Sequence, residues 1–347
     1  MIGPHPMATD RSVRIGLIGA GAIGEDHARR LSTVIRGADV VAVHDVDPSR
    51  AKTVATRFRD ARVIPDGNSL IGDPDVDAVV VASAAPTHEA YVLAAIAARK
   101  PVFCEKPLAT TAAGCLRIVE AEKAHGRRFV RVGFMRRFDP AYLGLKAELR
   151  SGAIGHPLLA HLAHRNPAVP STLRTTDAIA DSLVHEMDLV RWLFDTEIRE
   201  VRAVAGRRNA KAGPDLHDPL LVLVRMATDV VVDVELSLNI GYGYHIRAEI
   251  VGENGTVALA SEQPIVRRIS GEERRPVAQH WKTRFAAAYD AELSEWVRDV
   301  SQGRVSGPSA WDGYAATLAT DAAAESLRSD TAVAAFPGDV PTLYREP

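Results

Sequence analysis

Cysteine is scarce in this sequence. Two cysteines, Cys104 and Cys115, occur among 347 residues. So few thiols in so long a chain are typical of a protein of the reducing cytoplasm, and neither stands at the spacing of a metal site. The sequence therefore predicts a cytoplasmic protein without a thiolate metal centre.

A strong charge of one sign and long apolar runs are also lacking. The formal net charge is −2, which indicates neither a nucleic acid nor an anionic membrane as partner. No apolar run approaches the roughly 18 to 20 residues that span a bilayer. Residues Met1–Ser12 lack the basic and then apolar layout of a signal sequence and are predicted to form a frayed extension.

The composition that is present belongs to a globular protein with more than one core. Hydrophobic residues make up 46% of the chain and charged residues 25%, and this length is sufficient for two domains. We expect an extension over 1–12, a first domain over 13–135 and a second domain over 136–347.

The first domain alternates short apolar strands with amphipathic helical stretches. Such a rhythm predicts a parallel, doubly wound sheet of the Rossmann type, with helices on both faces. The strand-like runs are Val13–Ile18, Asp39–His44, Arg62–Ile64, Ala78–Ser83, Pro101–Cys104 and Phe129–Gly133.

The second domain groups its strands with few helices between them. This grouping predicts an α+β domain built on a largely antiparallel, open sheet. The strand-like runs are Leu158–His164, Arg199–Gly206, Pro219–Ala227, Val230–Asn239, His245–Gly252, Thr256–Ala260 and Ile265–Ile269. Helices are expected near 181–194, 285–302 and 309–328.

A glycine-rich loop follows the first strand. Its sequence, Gly19-Ala20-Gly21-Ala22-Ile23-Gly24, stands between that strand and a helical stretch, which is the context of a dinucleotide site. The first glycine permits the turn, the second admits a pyrophosphate and the third lets helix and strand pack closely. The helix N-terminus offers free N–H groups to the phosphates. The predicted cofactor contacts are Gly19, Gly21, Ala22, Ile23 and Gly24.

Asp45 stands 21 positions after Gly24, at the end of the second strand. A carboxylate there accepts hydrogen bonds from an adenosine ribose and repels a 2′-phosphate. Val46 offers that phosphate no cation, so NAD is predicted, with Asp45 and Val46 at its ribose. The alternative is a turn residue in Asp45-Val46-Asp47-Pro48, and Arg50 leaves NADP open.

Three residues are candidates for catalysis. Lys106, at the end of a strand, is placed to bind cofactor and a substrate hydroxyl; the alternative is a surface pair with Glu105. Asp181 and His185, four apart, share one helix face, where a carboxylate fixes the tautomer of an imidazole and raises its pKa. Histidine suits the removal of a hydroxyl proton near neutral pH. His185-Glu186-Met187-Asp188 does not match a zinc motif, so no metal is predicted.

Polar residues near the second strand group are candidates for substrate binding. His164 and Asn166 point to one side if the strand continues that far, and both can bond a polyol. The alternative is a polar strand end. Tyr244 is either a ligand contact or packing, and Arg136 either guards the cleft or is solvated.

With these residues assembled, the chain resembles the Gfo/Idh/MocA oxidoreductase family from Arg14 to about Asp321. Glu105-Lys106-Pro107 marks the family, and His164-Arg165-Asn166-Pro167 points to inositol. The other matching strings are Val102–Cys104, Leu108–Thr111, Val132–Arg137, Leu183–Glu186 and Gly307–Tyr314.

The resemblance implies NAD-dependent oxidation of myo-inositol to 2-keto-myo-inositol. It implies Lys106, Asp181 and His185 as the catalytic set, with His185 as base, and a homotetramer. It implies as polyol contacts Arg136, His164, Asn166, Asp181, His185 and Tyr244. Departures at residues 169–172, 240–241 and His245 leave the preferred stereoisomer open.

The sequence leaves two alternative functions open. The first is a dehydrogenase for scyllo-inositol, D-chiro-inositol or a pyranose such as glucose. The second is an NAD-sensing regulator without catalytic activity on the same fold. Retention of Lys106, Asp181 and His185 together argues against the regulator.

Overall fold

A computed structural model describes residues 12–260 and 266–345. Its first half forms a six-stranded sheet in the order β3-β2-β1-β4-β5-β6, and all neighbouring strands are parallel. The strands are β1 Val13–Ile18, β2 Ala38–His44, β3 Arg62–Val63, β4 Ala78–Val81, β5 Val102–Glu105 and β6 Val130–Gly133. The prediction of a parallel doubly wound sheet is confirmed.

Helices connect the strands of this first sheet. They are α1 Ala22–Thr33, α2 Pro48–Ala55, α3 Gly67–Gly72, α4 His88–Ala97 and α5 Ala112–His125. Strands β1, β4, β5 and β6 are buried along nearly their whole length, as expected when helices cover both faces of a sheet, whereas the edge strand β3 is exposed.

The second half forms a seven-stranded mixed sheet in the order β12-β11-β7-β10-β9-β8-β15. Strands β10 and β7 pair in parallel, and the other described pairs of this sheet are antiparallel, which confirms the largely antiparallel sheet. The strands are β7 Pro157–Arg165, β8 Ile198–Ala205, β9 Leu220–Met226, β10 Val231–Ser237, β11 His245–Gly252, β12 Thr256–Ala258 and β15 Val333–Ala334.

One strand prediction is partly wrong. The run predicted at Ile265–Ile269 begins outside the described residues, and its described part pairs in a separate hairpin of β13 Arg267–Ile269 and β14 Glu272–Arg274. Alternation within a short strand indicates that it is extended but does not choose its partner.

The second half contains helices α6 Pro140–Ser151, α7 Thr175–Ala178, α8 Val184–Phe194, α9 Trp281–Arg284, α10 Ala286–Ser301 and α11 Ala310–Ser329. Helix α10 returns to the first sheet, where Trp296 is fully buried and meets Phe103 of β5 at 5.8 Å between ring centroids. Helix α10 therefore packs against the first sheet, and α11 packs against β8 of the second sheet. The domain limits at 135 and 136 stay a prediction.

Candidate functional site

A cleft of about 550 Å³ lies at the carboxyl ends of β1, β2, β4 and β5. In an open parallel sheet this edge is where ligands bind. Its walls bring together twelve of the predicted site residues, which come from both halves of the chain: Gly19, Gly21, Ala22, Ile23, Asp45, Val46, Lys106, His164, Asn166, Asp181, His185 and Tyr244. The remaining two, Gly24 and Arg136, lie outside the lining.

The three glycines of the loop have separate tasks. Gly19 has φ +98°, and a Cβ there would stand 2.4 Å from the backbone of Ala82. At Gly24 a Cβ would stand 1.9 Å from the carbonyl oxygen of Gly19, whereas at Gly21 it would meet no protein atom within 4 Å. Gly19 and Gly24 thus pack the loop against the sheet, and Gly21 leaves open space in the cleft.

Helix α1 begins at Ala22, and Gly21 supplies no side-chain cap. The first N–H groups of the helix therefore have no side-chain partner from that position, and such groups bind phosphate oxygens well. The open space at Gly21 and these donors suit the pyrophosphate of a dinucleotide.

Asp45 serves the turn and lines the cleft at the same time. One carboxylate oxygen accepts from the backbone N–H of Ala20 at 2.6 Å, and the other accepts from that of Asp47 at 2.8 Å. Val46 is 89% exposed. The cation nearest in sequence, Arg50, also lines the cleft, but its Nε lies 3.4 Å from Asp47. The two interpretations of Asp45, as a ribose contact and as a turn residue, are therefore compatible with each other.

Lys106 reaches across the cleft to the second half of the chain. Its Nζ lies 2.5 Å from Oδ1 of Asp181 and donates to the carbonyl oxygen of the same residue at 3.1 Å. Glu105 is instead buried, and its Oε1 lies 2.7 Å from Nε2 of His27. Glu105 and Lys106 therefore do not form the surface ion pair that the alternative interpretation predicts.

The backbone around Lys106 is held from the neighbouring strand loop. The Lys106–Pro107 peptide bond is cis. Nδ1 of the buried His88 lies 2.7 Å from the carbonyl oxygen of Pro107, and its Nε2 lies 3.0 Å from that of Ser83. This imidazole lies between the ends of β4 and β5 and lines the cleft.

Asp181 and His185 do not pair as their spacing predicts. Residues Ile179–Leu183 form a π-helical turn between α7 and α8, which is wider than an α turn and is frequent at functional sites. Asp181 is exposed and directed to Lys106, whose ammonium lowers the pKa of the carboxyl. Nδ1 of His185 has no hydrogen-bond partner among the described residues.

The expected rise in the pKa of His185 is therefore wrong. Burial lowers this pKa well below 6.5, and the charges of Lys106 and Arg136 act in the same direction. The imidazole is consequently neutral at neutral pH and able to accept a proton.

The predicted polyol contacts differ in how they meet the cleft. His164 is 3% exposed, and its ring packs edge-on against Tyr244 at 5.7 Å. Oδ1 of Asn166 is buried without a hydrogen-bond partner in the described chain. Arg136 is buried behind His164 and pairs with Glu186. It therefore neither guards the cleft nor is solvated.

The sequence reasoning missed several cleft residues. Trp281 and Tyr289 line the cleft and meet at 5.8 Å between ring centroids. Near them Lys282 donates to the carbonyl oxygen of Ala22 at 2.8 Å. These residues lie about 260 positions after the glycine loop and belong to no recognisable motif, so no local signal points to them.

The positions at which the chain departs from the family do not line the cleft, although Ile240 donates its backbone N–H to the carbonyl oxygen of the lining residue Asn166 at 3.0 Å. Neither residues 169–172 nor residues 240–241 and His245 belong to its described lining. Nδ1 of His245 lies 2.6 Å from the hydroxyl of Tyr242 instead. Within residues 12–260 and 266–345, no cluster of histidine, cysteine and carboxylate side chains suits a metal ion, and no helix is both long and apolar enough to cross a membrane.

Comparison with known proteins accounts for both halves of the chain. Residues 13–134 match the model of the oxidoreductase family with an NAD-binding Rossmann fold, and residues 146–335 match its C-terminal alpha/beta domain. Inositol 2-dehydrogenase 3 from Saccharopolyspora erythraea is 49% identical over 333 residues, which cover 96% of this chain and 98% of that protein.

Two solved structures extend the comparison. Myo-inositol dehydrogenase from Lactobacillus casei, in complex with NAD(H) and myo-inositol, has a TM-score of 0.93 and 38% identity over 96% of this chain and all of that one. Scyllo-inositol dehydrogenase from the same organism, with NAD(H) and scyllo-inositol, has a TM-score of 0.87 and 25% identity over 94% and 99%. The glycine loop, the Glu-Lys-Pro strand end and the matches to both domains lead to one conclusion: the chain belongs to the Gfo/Idh/MocA oxidoreductase family, whose Rossmann domain binds NAD.

Proposed function

We propose that this chain is an NAD-dependent inositol 2-dehydrogenase, which oxidises the axial hydroxyl of myo-inositol to give 2-keto-myo-inositol. The observation that carries this proposal is the meeting of Lys106, Asp181 and His185 in one cleft with the glycine loop. The 49% identity to an inositol 2-dehydrogenase over nearly the full length supports the substrate.

The chemistry assigned to the protein is removal of one proton. His185 is neutral because burial lowers its pKa, so it accepts the hydroxyl proton as the C–O bond becomes a carbonyl. Lys106 donates an N–H to the same oxygen and stabilises its developing negative charge. When bound, NAD⁺ supplies the acceptor for the hydride that leaves C2.

Asp181 has a different task in this proposal from the one its spacing suggests. Its carboxylate holds the ammonium of Lys106 at 2.5 Å and so directs it across the cleft. A substrate hydroxyl that enters between the two side chains meets a donor and an acceptor. Asp181 thus positions Lys106 and contacts the polyol, and it does not orient His185.

The cleft fits the cofactor at two places. Open space beside Gly21 and the uncapped start of α1 suit the pyrophosphate. The Asp45 carboxylate lies in the lining, followed by an exposed valine rather than a cation. This pair favours a ribose with a free 2′-hydroxyl over a 2′-phosphate.

A homo-oligomer is part of the proposal. Outward-facing side chains of the second sheet include Leu159, Val204, Leu221 and Leu223, each between 39% and 43% exposed. An apolar surface of this kind is typical of an interface between subunits. The family resemblance suggests a tetramer. We also place the protein in the cytoplasm, where its two buried free cysteines stay reduced.

The choice of substrate is tested by a panel. Initial rates are measured for myo-inositol, scyllo-inositol, D-chiro-inositol and glucose with NAD⁺ and with NADP⁺. We expect the highest kcat/KM for myo-inositol with NAD⁺. Turnover of another member alone keeps the oxidoreductase chemistry and refutes the substrate, whereas NAD⁺ binding without turnover of any member supports the regulator.

A further inference from the structure

Behind the polar wall of the cleft lies a buried cluster of three side chains. Arg136 follows β6, His164 belongs to β7 and Glu186 to α8, and they are 2%, 3% and 1% exposed. Arg136 Nη1 donates to Glu186 Oε1, and Arg136 Nη2 lies 3.2 Å from Nδ1 of His164. The same Nδ1 lies 3.1 Å and 3.2 Å from the two carboxylate oxygens of Glu186.

His164 is the one member of this cluster that lines the cleft. Because its Nδ1 faces Arg136 and Glu186, its Nε2 lies on the opposite edge of the ring. No hydrogen bond from the described part of the chain reaches Nε2. This nitrogen is therefore the atom that His164 offers to a ligand.

The proton on the ring decides what that atom does. A guanidinium only donates and an ionised carboxylate only accepts. Burial disfavours the carboxylate of Glu186, but the charge of Arg136 and the hydrogen bonds from Arg136 and His164 lower its pKa, so it is ionised at neutral pH. If Nδ1 carries the proton, His164 bonds Glu186 and its Nε2 accepts. If Nδ1 is bare, His164 accepts from Arg136 and its Nε2 donates.

The geometry favours the first arrangement. With Nδ1 bare, its lone pair would face two carboxylate oxygens at 3.1 Å and 3.2 Å in a buried place where such repulsion is poorly screened. With Nδ1 protonated, the ring makes a charge-assisted hydrogen bond to Glu186, and Arg136 keeps its own bond to Glu186. The contact that is given up is the single one between Nδ1 and Nη2 of Arg136 at 3.2 Å.

We propose that Glu186 is a positioning residue, which holds the Nδ1–H tautomer of His164 so that Nε2 presents a lone pair to the cleft. The consequence for catalysis rests on the proposed function: His164 accepts a hydrogen bond from one polyol hydroxyl, while Lys106 donates a hydrogen bond to another atom of the substrate. Glu186 thereby selects substrates that carry a hydroxyl donor at this place.

The tautomer is read directly from ¹⁵N magic-angle-spinning spectra of the full chain labelled at histidine. The His164 signals are assigned by their loss in His164→Gln. In the wild type we expect a protonated Nδ1 and a bare Nε2. A proton on Nε2, alone or together with one on Nδ1, would overturn the proposal, and this measurement does not depend on any substrate.

The variant Glu186→Gln extends the test. The amide of glutamine can accept from Arg136 and donate to Nδ1, so the proton should move to Nε2 and the KM for myo-inositol should rise at least about tenfold, the scale of one reversed hydrogen bond. The Kd for NAD⁺ should not change. Glu186→Asp, which keeps the charge, should restore part of the wild-type KM.

Asp188→Asn is the matched control. Asp188 lies two positions further on α8, is 2% exposed and pairs with Arg137, so this change also removes a buried carboxylate charge without touching His164. An equal rise in KM in both variants would make the role of Glu186 merely structural and refute the proposal. If the wild type oxidises no polyol, the proposed function fails while the ¹⁵N result still decides the tautomer.

Discussion

Two glycines of the phosphate-binding loop should respond differently to the same substitution, one by a loss of stability and the other by a loss of cofactor affinity. For Gly24→Ala, the new Cβ would stand 1.9 Å from the carbonyl oxygen of Gly19, and only a backbone shift relieves this contact. Overpacking of this kind costs about 1–3 kcal/mol, more than the roughly 1 kcal/mol that alanine gains over glycine inside a helix. We therefore expect a lower free energy of unfolding.

Gly21→Ala should leave the free energy of unfolding nearly unchanged. Its φ of −74° suits any residue, and its Cβ would meet no protein atom within 4 Å. The methyl group instead occupies space at the cleft where the pyrophosphate is expected. A loss of about 1.4 kcal/mol in binding raises the Kd tenfold, so we expect a rise in the Kd for NADH of at least that size.

The assays are urea unfolding and titration of NADH fluorescence. Gly144→Ala is the control, because Gly144 lies on the exposed side of α6 and its Cβ would meet nothing within 4 Å. It should slightly stabilise the fold and leave the Kd unchanged. Wild-type affinity for NADH in Gly21→Ala would refute the placement of the pyrophosphate.

Three further predictions follow from the site. In His185→Ala, kcat should fall by roughly 10²-fold or more, the scale of a lost general base, with unchanged NAD⁺ affinity. The control His156→Ala, at an exposed position, should retain full activity. A near-wild-type kcat in His185→Ala would place the base elsewhere. Asp45→Ser combined with Val46→Arg should shift the cofactor preference toward NADP⁺, because the double variant lacks a repulsive carboxylate and gains a cation. The ratio of the kcat/KM values for the two cofactors measures this shift. Equal use of both cofactors by the wild type would contradict the role of Asp45. Burial lowers the pKa of His88 and His185 below 6.5 in the folded chain, so the unfolded chain binds more protons as the pH drops below 6.5. The free energy of unfolding should therefore fall over this range, by up to about 1.4 kcal/mol per pH unit for each histidine. Urea unfolding from pH 7.5 to 5.5 measures this slope, and a flat profile would contradict the prediction.

Local patterns predicted the parts of the site that depend on neighbouring residues. The tasks of Gly19 and Gly24 follow from a turn between a strand and a helix, and both glycines pack as that motif requires. Asp45 at the end of β2 likewise faces the cleft because the parallel topology brings strand ends together.

Contacts between distant residues could not be read from such patterns. The spacing of Asp181 and His185 predicts a pair, but the π-helical turn and the ammonium of Lys106, 75 positions away, direct Asp181 elsewhere. Arg136 is buried because Glu186 compensates its charge, and no local pattern reports a partner 50 positions later.

The same limit applies to Trp281. Its place in the cleft depends on how the chain returns to the first sheet through α10. The family resemblance named the proposed catalytic and polyol-contact residues, but none of its matching strings contains Trp281.

The most direct test of the central claim is the fate of the hydrogen at C2. Purified protein is incubated with NAD⁺ and myo-inositol deuterated at C2, and the nicotinamide product and the ketone are analysed by mass spectrometry. Hydride transfer from C2 predicts one deuterium in each NADH molecule and 2-keto-myo-inositol without the label. NADH that lacks deuterium, with the label retained in the oxidised product, or no NADH at all, would contradict it.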